Sequence, residues 1–469
     1  MNTKRLLVAV SKDDQEIIAS AIAGYRIESI VGHPPLYDHP VRCSISKHVT
    51  GLKTGEYLEN LLAYDTQKHP FQKRALIHIN LSTIHAYTLT YGFCCSQEVL
   101  NRVAEHLKGF ITDTCLLCKT FENHYTFYLK DYPCKQVLLD FCQTLSTELK
   151  TLLRSEGFES GIGLLELSEE QCLNYDKIMH HVMIASEEAL NLRYHRLGFC
   201  EFSKELEEKS RRKEAIITEL SQIVAGHRKE RLYVLFQPIV TLATNQITEF
   251  EVLARLSSDA LGLVNPTEFI PLAEQTKYII SLGYLIIEHA LHFLATLHAQ
   301  GWHHVNISIN VSAVQLLEAD FVERLLSLIE QSGVSSAQIC LEITESSLMT
   351  NFEEINALFA ELQVQGITIA LDDFGTGYSS LCHERKLKLN ALKIDKVFID
   401  GLFPGEPSIT ENIITIGHTL GHQVIAEGVQ NTYQREYLTR YGCDKIQGYL
   451  INTPLSQQEA LRFLQTYPV

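Results

Sequence analysis

Eight short apolar segments in the C-terminal half of the chain each carry, or end in, a residue able to hold a metal ion or a phosphate. They are Tyr233–Val240, Ile247–Leu256, Val305–Ser312, Ile339–Ser346, Ile367–Phe374, Ala391–Asp395, Gln423–Val429 and Lys445–Ile451. Helix-like stretches separate most of them. Their polar residues are Gln237, Glu251 with Arg255, Asn310, Glu342, Asp372 with Asp373, Lys393, Glu427 and Gln447. A carboxylate on a buried strand is costly unless something pairs with it, so strands that each end in one are expected to converge on a site. Strand followed by helix, repeated about eight times, predicts a (β/α)8 barrel with its chemistry at the C-terminal ends of the strands.

A chain of 469 residues is long enough for two or three domains. Hydrophobic content of 45% with 20% charged residues describes a globular protein with real cores. The net charge of −16 argues against a broad grip on the backbone of DNA or RNA. It leaves room for a small anionic ligand, because bound divalent cations supply local positive charge. The N-terminal apolar run, Leu6-Leu-Val-Ala-Val10, is too short for a signal peptide or a membrane span, and no other stretch reads as long enough to cross a bilayer. Twelve cysteines without a repeating framework suggest free thiols in a reducing cytoplasm. Cys115-Leu-Leu-Cys118 and Cys94-Cys95 are read as buried strand cysteines rather than zinc ligands, which come in recognisable pairs.

Residues 1–40 alternate strand-like and helix-like runs and break at His33-Pro-Pro35. Residues 41–200 form an α/β mixture. Ala75–Leu81, Thr126–Leu129 and the region around Gly161-Ile-Gly163 are expected as strands; Ser96–Leu107, Lys135–Leu153 and Asp176–Leu190 are expected as helices. A charged helical stretch over 203–229, with Leu206, Ile216, Leu220 and Ile223 on one face, is expected as a solvated connecting helix or as a signalling linker or dimer seam.

Within the barrel segment, Glu251, Leu253 and Arg255 alternate along one strand and so share a face. They could join a metal ligand to a phosphate clamp, or form an internal ion pair. Asn310 and Ser312 also share a face; a buried Asn needs hydrogen-bond partners or a metal. Glu342, flanked by Leu341 and Ile343, is costly without compensation, and Glu345 could brace a loop at the strand exit. In Ile367-Thr-Ile-Ala-Leu-Asp-Asp-Phe-Gly-Thr-Gly377 an apolar run delivers two adjacent carboxylates into a glycine-rich turn. Divalent cations relieve such repulsion, and an oxygen-rich set suits Mg²⁺ or Mn²⁺ better than Zn²⁺. Lys393 adds a cation on a strand, and Glu427 another carboxylate at a strand end.

These motifs resemble those of EAL-domain phosphodiesterases, which hydrolyse cyclic di-GMP. The resemblance covers about residues 231–465. The name motif stands as Glu251-Val-Leu253, followed by Arg255; Phe236-Gln-Pro-Ile239, Asn310-Val-Ser312, Glu342-Ile-Thr-Glu345, Asp372-Asp-Phe-Gly-Thr-Gly377, Leu392-Lys-Ile-Asp395, Ala426-Glu-Gly428 and Gln447-Gly-Tyr449 follow in the family's order. The resemblance implies that Glu251, Asn310, Glu342, Asp372 and Asp373 hold two ions, Mg²⁺ or Mn²⁺. It implies that Lys393 and Glu427 order or deprotonate the attacking water and that Glu345 holds the loop Asp373–Ser380. It assigns substrate contacts to Gln237, Leu253, Arg255 and Gln447, with Arg255 on a phosphate and Gln447 supporting the site through hydrogen bonds. A homodimer is implied as well.

The preceding half resembles a GGDEF domain more weakly, through Val49-Thr-Gly-Leu52 and Ser160-Gly-Ile-Gly163. Its signature falls on Phe121-Glu-Asn-His-Tyr125, without the glycines or acids, and Asn80 stands where a metal-binding Asp is expected. Thr112 and Cys115 occupy the positions of the inhibitory Arg and Asp. The expected fold class is therefore α/β: a TIM-like (β/α)8 barrel over 231–469, a linker helix over 201–230, a degenerate GGDEF-like (nucleotidyl-cyclase-like) domain over 41–200, and a short segment 1–40 of unassigned role. The expected function is metal-dependent hydrolysis of cyclic di-GMP to linear pGpG. The N-terminal half would regulate it or hold a protein partner. The rivals are a catalytically silent cyclic di-GMP receptor and a barrel enzyme acting on another phosphodiester.

Overall fold

The computed structural model describes residues 51–467 except 155–158, 168–173, 192–197, 346–351, 376–386, 405 and 407. The segment 1–40, the residues Val49 and Thr50, and the loop positions Thr376–Ser380 lie outside the described residues. The chain divides into two compact units that meet in sequence between Phe202 and Ser203.

In the first unit, β1 (Lys53–Thr54), β2 (Arg74–Asn80), β3 (Cys115–Phe121), β4 (His124–Lys130), β5 (Gly161–Leu167) and β6 (Phe199–Glu201) form one sheet. Its order is β1-β3-β4-β2-β5-β6. Alternation along β2 sends Ala75, Ile77 and Ile79 to one face and Leu76 to the other. The first face packs on α3 (Phe93–Lys108) and α4 (Lys135–Leu153). The second packs on α1 (Gly55–Lys68) and α5 (Tyr175–Asn191). The short α2 (Ile84–Tyr91) precedes α3. Gly161 and Gly163 let α5 lie directly on β5: a Cβ at Gly163 would sit 2.3 Å from the Val182 carbonyl oxygen. Cys115 and Cys118 are buried on β3 as expected, but Cys94 and Cys95 are exposed in the first turn of α3. The expected burial fails there because the pair opens an amphipathic helix instead of lying in a strand.

In the second unit, α6 (Lys204–Val224) leads into β7 (Leu232–Thr241) and β8 (Gln246–Ser258), then β9 (Gly262–Val264), α7 (Pro266–Gln275) and α8 (Tyr278–Ala299). There follow β10 (Asn306–Asn310), α9 (Ala313–Leu316), α10 (Phe321–Ser332), β11 (Ile339–Thr344), α11 (Phe352–Val364) and β12 (Thr368–Phe374). The chain continues through β13 (Ala391–Ile394), α12 (Lys396–Asp400), α13 (Thr410–Thr419), β14 (Gln423–Ala426), α14 (Thr432–Arg440), β15 (Lys445–Gln447) and α15 (Gln457–Thr466).

Strands β8, β10, β11, β12, β13, β14, β15 and β7 close on themselves as an eight-stranded barrel. The regular (β/α)8 expectation needs one correction. Strand β7 runs antiparallel to both neighbours, β8 and β15. Only Leu242–Asn245 joins β7 to β8, which permits a hairpin and no crossover helix. Asn245 supports that turn in the left-handed region at φ 56°. The other seven strands are mutually parallel, so their C-terminal ends share one rim.

The charged α6 does not stand apart in solvent. It buries Ile216, Leu220 and Ile223 in the same core as Phe250, Phe269 and Phe293, so it belongs to the barrel unit. Leu206, expected on that face, is only half-buried. Helix α8 has a mean hydropathy of 1.5, enough by length and composition to cross a membrane, against the expectation that no stretch would qualify. Here it buries Leu282, Ile286, Ile287, Leu291, Phe293 and Leu294 in the barrel core.

Candidate active site

The parallel register brings the polar residues to one rim, stepped by two positions between β8 and β10 and between β11 and β12. Asn310 of β10 pairs with Glu342 of β11, Ser308 with Glu251 of β8, and Thr344 with Asp372 of β12. On the antiparallel strand, Gln237 pairs with Glu251. Glu251, Glu342, Asp372, Gln237, Gln447 and Lys393 are all buried.

Lys393, fully buried, is the hub. Its Nζ lies 2.5 Å from Glu427, 2.7 Å from Glu342, and 3.5 Å from both Glu251 and Asp372. Burial disfavours its charge, but the four carboxylates outweigh burial and hold its pKa well above the usual lysine value. Burial likewise pushes Glu342 well above the carboxylate range, with Lys393 pulling it back. Burial raises Glu427 to about 8, against the pull of Lys393 and with a further push from Asp372. Glu251 goes the other way. Burial opposes its charge, yet Lys393 and hydrogen bonds from Gln447 and Asn310 overcome it, so its pKa falls.

Those hydrogen bonds form a frame. Asn310 Nδ2 donates to Glu251 Oε1 at 2.7 Å, and Gln447 Nε2 donates to Glu251 Oε2 at 2.5 Å and to Gln237 Oε1 at 3.0 Å. Gln237 Nε2 donates in turn to the Asn452 carbonyl at 3.3 Å. The ion-pair alternative for Glu251 and Arg255 is not what forms: Glu251 takes Lys393, and Arg255 Nη1 turns to the Ala254 carbonyl at 2.8 Å.

Adjacent strand residues ordinarily face opposite sides. Asp372 and Asp373 escape this through a register shift in the pairing of β12 with β13 and a left-handed Asp373 at φ 56°. A non-glycine residue there costs about 1–3 kcal/mol. The result is that oxygens of Asp372, Asp373 and Glu427 all lie within 4.8 Å of one another. Burial, then Asp372, raises the Asp373 carboxyl to about 6, and it hydrogen-bonds the Asp395 side chain. Glu345 Oε2 accepts the Gly375 backbone N–H at 3.0 Å, just beyond Asp373. Gly375 is at φ 95°, and a Cβ there would lie 2.7 Å from the Phe398 ring, so only glycine fits that turn.

Two cavities open at this rim on either side of Glu251 and Leu253. One, of about 450 Å³, is lined by Arg255, Asn310, Glu342, Asp372 and Asp373 together with the α7 wall of Thr267, Ile270, Pro271 and Glu274. The other, of about 430 Å³, is lined by Gln237, Glu427, Gln447, Lys396, Gln430 and Tyr449. The expected site residues other than Glu345 thus line or frame one continuous rim, with Glu345 bracing its edge. Glu274, Lys396 and Asp395 were not singled out from the sequence. Glu274 had a signal, a lone acid closing the apolar helix Phe269-Ile-Pro-Leu-Ala-Glu274; for the other two only the neighbouring strand ends pointed the way.

An all-oxygen triad in a half-buried rim fits a hard divalent cation rather than a softer transition metal. The Lys393 ammonium beside it compensates the carboxylates of the layer below.

Residues 219–454 match the model of the EAL domain family. The cyclic di-GMP phosphodiesterase PA2567 of Pseudomonas aeruginosa is 31% identical over 394 residues, covering 81% of this chain and 64% of that protein. A solved structure of the EAL enzyme Bd1971, in its cAMP- and cyclic-di-GMP-bound form, is 27% identical with a TM-score of 0.51, covering 66% of this chain and 82% of that one. The S helix-GGDEF-EAL portion of Vibrio cholerae LapD covers 94% of this chain and all but matches in extent, at 100% of its own length, with a TM-score of 0.51. At 14% identity that likeness concerns the fold alone. The chain spans 50%, 41% and 64% of the lengths of three curated relatives.

Proposed function

This chain belongs to the EAL-domain family, and we propose that its barrel hydrolyses one phosphodiester bond of cyclic di-GMP to give linear pGpG, using two divalent cations, Mg²⁺ or Mn²⁺. The observation that carries the reading is the triad Asp372, Asp373 and Glu427 beside the Lys393-centred carboxylate layer. The relatives named as cyclic di-GMP phosphodiesterases support the substrate.

Asp372, Asp373, Glu251, Glu342 and Asn310 would hold the cations, with Glu427 shared between cation binding and proton handling. When bound, the pair would neutralise charge on the phosphoryl group and acidify a water molecule. The chain's own residues do the rest. Gln447 and Asn310 fix the rotamer of Glu251 from both of its oxygens. Lys393 keeps Glu342 and Glu427 in place and supplies a fixed positive charge at the rim. Glu427, its carboxyl raised by burial to about 8, carries a proton near neutral pH, and bound cations would favour its ionised, accepting form. Arg255 and the Leu253 shelf between the two cavities would position the dinucleotide, one half on each side.

The N-terminal unit is, in this reading, a GGDEF-like domain without cyclase chemistry that regulates the barrel. Its signature segment forms the β3–β4 turn, where Asn80 pairs with His124 and accepts the Ser82 N–H at 2.8 Å, a role that needs no metal. A homodimer is part of the same proposal.

The test is incubation of the pure chain with cyclic di-GMP and Mg²⁺ or Mn²⁺, with products separated by chromatography, and a parallel incubation with GTP. Linear pGpG from the first and no cyclic product from the second are expected. Tight binding of cyclic di-GMP without turnover would instead make the chain a receptor, and intact substrate without binding would remove the assignment.

A further inference from the structure

Helix α7 carries a glutamate near each end, and each grips a different part of the molecule. In its first turn, Glu268 receives both Nε and Nη2 of Arg212 on α6, at 2.7 and 3.0 Å. In its last turn, Glu274 Oε1 accepts the Ser312 hydroxyl at 2.5 Å. Ser312 caps α9 through the Val314 N–H and lies two residues beyond Asn310, which in turn holds Glu251. Between those ends, Thr267, Ile270 and Pro271 wall the cavity that contains Asn310, Asp372 and Asp373. Phe269 and Ala273 of α7 share one buried core with Ile216 and Leu220 of α6.

A helix of ten residues packed this way moves as a body, because close-packed interiors transmit displacement rather than absorb it. A small shift of α6 would therefore reach the Asn310 end of β10. Helix α6 begins at Lys204, directly after the first unit ends at Phe202, so whatever that unit does to the barrel along the chain passes through α6.

We propose that α6 sets the placement of Asn310, and through it cation binding at the rim, by way of α7. Arg212, Glu268, Glu274 and Ser312 are the positioning residues. The proposal deepens the phosphodiesterase reading by giving the cation site a mechanical input, and it rests on that reading for the identity of the site.

Arg212 and Glu268 are both more than a third exposed. Ion pairs of this kind add little to stability, which separates a positioning role from a structural one. Mn²⁺ binding to the full chain is measured by calorimetry without substrate, alongside thermal melts. Arg212→Glu and Glu268→Arg should each weaken Mn²⁺ binding about three-fold or more, while melting moves by less than about 2 °C. The double reversal, Arg212→Glu with Glu268→Arg, should restore most of the lost affinity. Glu274→Ala, closer to the site, should cost about ten-fold. Unchanged Mn²⁺ affinity in the single variants, or a double reversal no better than either single, overturns the proposal. Large melting losses that follow the affinity losses would mark the pair as structural and overturn it too. Because the readout needs no turnover, a chain that shows this coupling but leaves cyclic di-GMP intact would sink the phosphodiesterase reading and keep the lever.

Discussion

The Lys393 ammonium and the Glu342 carboxylate lie 2.7 Å apart with side-chain exposures of 0% and 1%. Burial disfavours the charge on both: the four carboxylates around the lysine hold Lys393 charged, whereas burial pushes the Glu342 carboxyl upward and Lys393 is the group that pulls it back. Lys393→Met keeps the chain length and removes the charge. Losing one partner of a buried ionic network costs about 3–5 kcal/mol. A fall of roughly 10 °C in the melting of the barrel is expected without added metal. Mn²⁺ should return part of the loss, since it can neutralise the same oxygens and binds only the folded form. A melt unchanged by the substitution would mean that the carboxylates are already protonated and the lysine is not their counter-ion.

Glu251→Ala and Asp372→Ala should each reduce turnover of cyclic di-GMP by at least ~10³-fold, because two-metal catalysis supplies several kcal/mol of barrier lowering. Both lie 3.5 Å from Lys393, but Glu251 is also the acceptor for Asn310 and Gln447, whereas Asp372 faces the like charges of Asp373 and Glu427. Glu251→Ala should therefore also lower the melting temperature, and Asp372→Ala should spare it or raise it. Steady-state kinetics with parallel melts check both. Turnover within ten-fold of the parent in either variant would take that residue out of the site.

Glu345 accepts the Gly375 backbone N–H at 3.0 Å, at the edge of the site. That bond fixes the turn just after Asp373, whose left-handed backbone needs support. Glu345→Ala should lower activity strongly at limiting metal and less so at high metal, since excess cation can hold Asp373 in place of the lost brace. A metal titration of activity, with a circular-dichroism melt as control, separates this from unfolding. Full activity at limiting metal would show that the turn holds itself.

The barrel strands were legible because each is a buried apolar run with a polar end. The predicted Ile367–Phe374 and Ala391–Asp395 differ by a residue or so from Thr368–Phe374 and Ala391–Ile394. What could not be read was direction. Nothing local in Tyr233–Val240 distinguishes a parallel first strand from the antiparallel β7, and only the short Leu242–Asn245 link carries that information. The convergence of Glu251, Glu342, Asp372 and Lys393 followed from the barrel rule, but their partners did not. Asn310 and Gln447 hold Glu251 from strands 59 and 196 residues away in sequence. The paired presentation of Asp372 and Asp373 depends on a register shift with β13, a property of the neighbouring strand. The charges of α6 dominate its composition and suggest a solvated connector, or a signalling linker or dimer seam, whereas Ile216, Leu220 and Ile223 decide its packing.

The first unit offers a prediction about acid stability. His78 is fully buried on β2, with Nδ1 2.8 Å from Thr126 Oγ1 and Nε2 3.0 Å from His124 Nδ1. Burial, then the neighbouring His124, lowers its pKa from 6.5 to about 3. The folded unit therefore keeps His78 neutral where the unfolded chain would protonate it. Between those two values the unfolded state binds the extra proton, so stability rises with pH across the window. The contribution is complete above about pH 6.5 and drains away toward pH 3, at a limiting slope of about 1.4 kcal/mol per pH unit for one proton. Burial, then His85, lowers His124 as well, which steepens the slope. His78→Gln can keep a hydrogen bond to Thr126 but cannot titrate. It should lose some stability at pH 7.5 and flatten the dependence between pH 6.5 and 4 by close to one proton. Urea unfolding of parent and variant at a series of pH values measures that slope. Parallel slopes in the two proteins would show that His78 takes up its proton inside the fold, and the buried pair would then not be an acid-sensitive element.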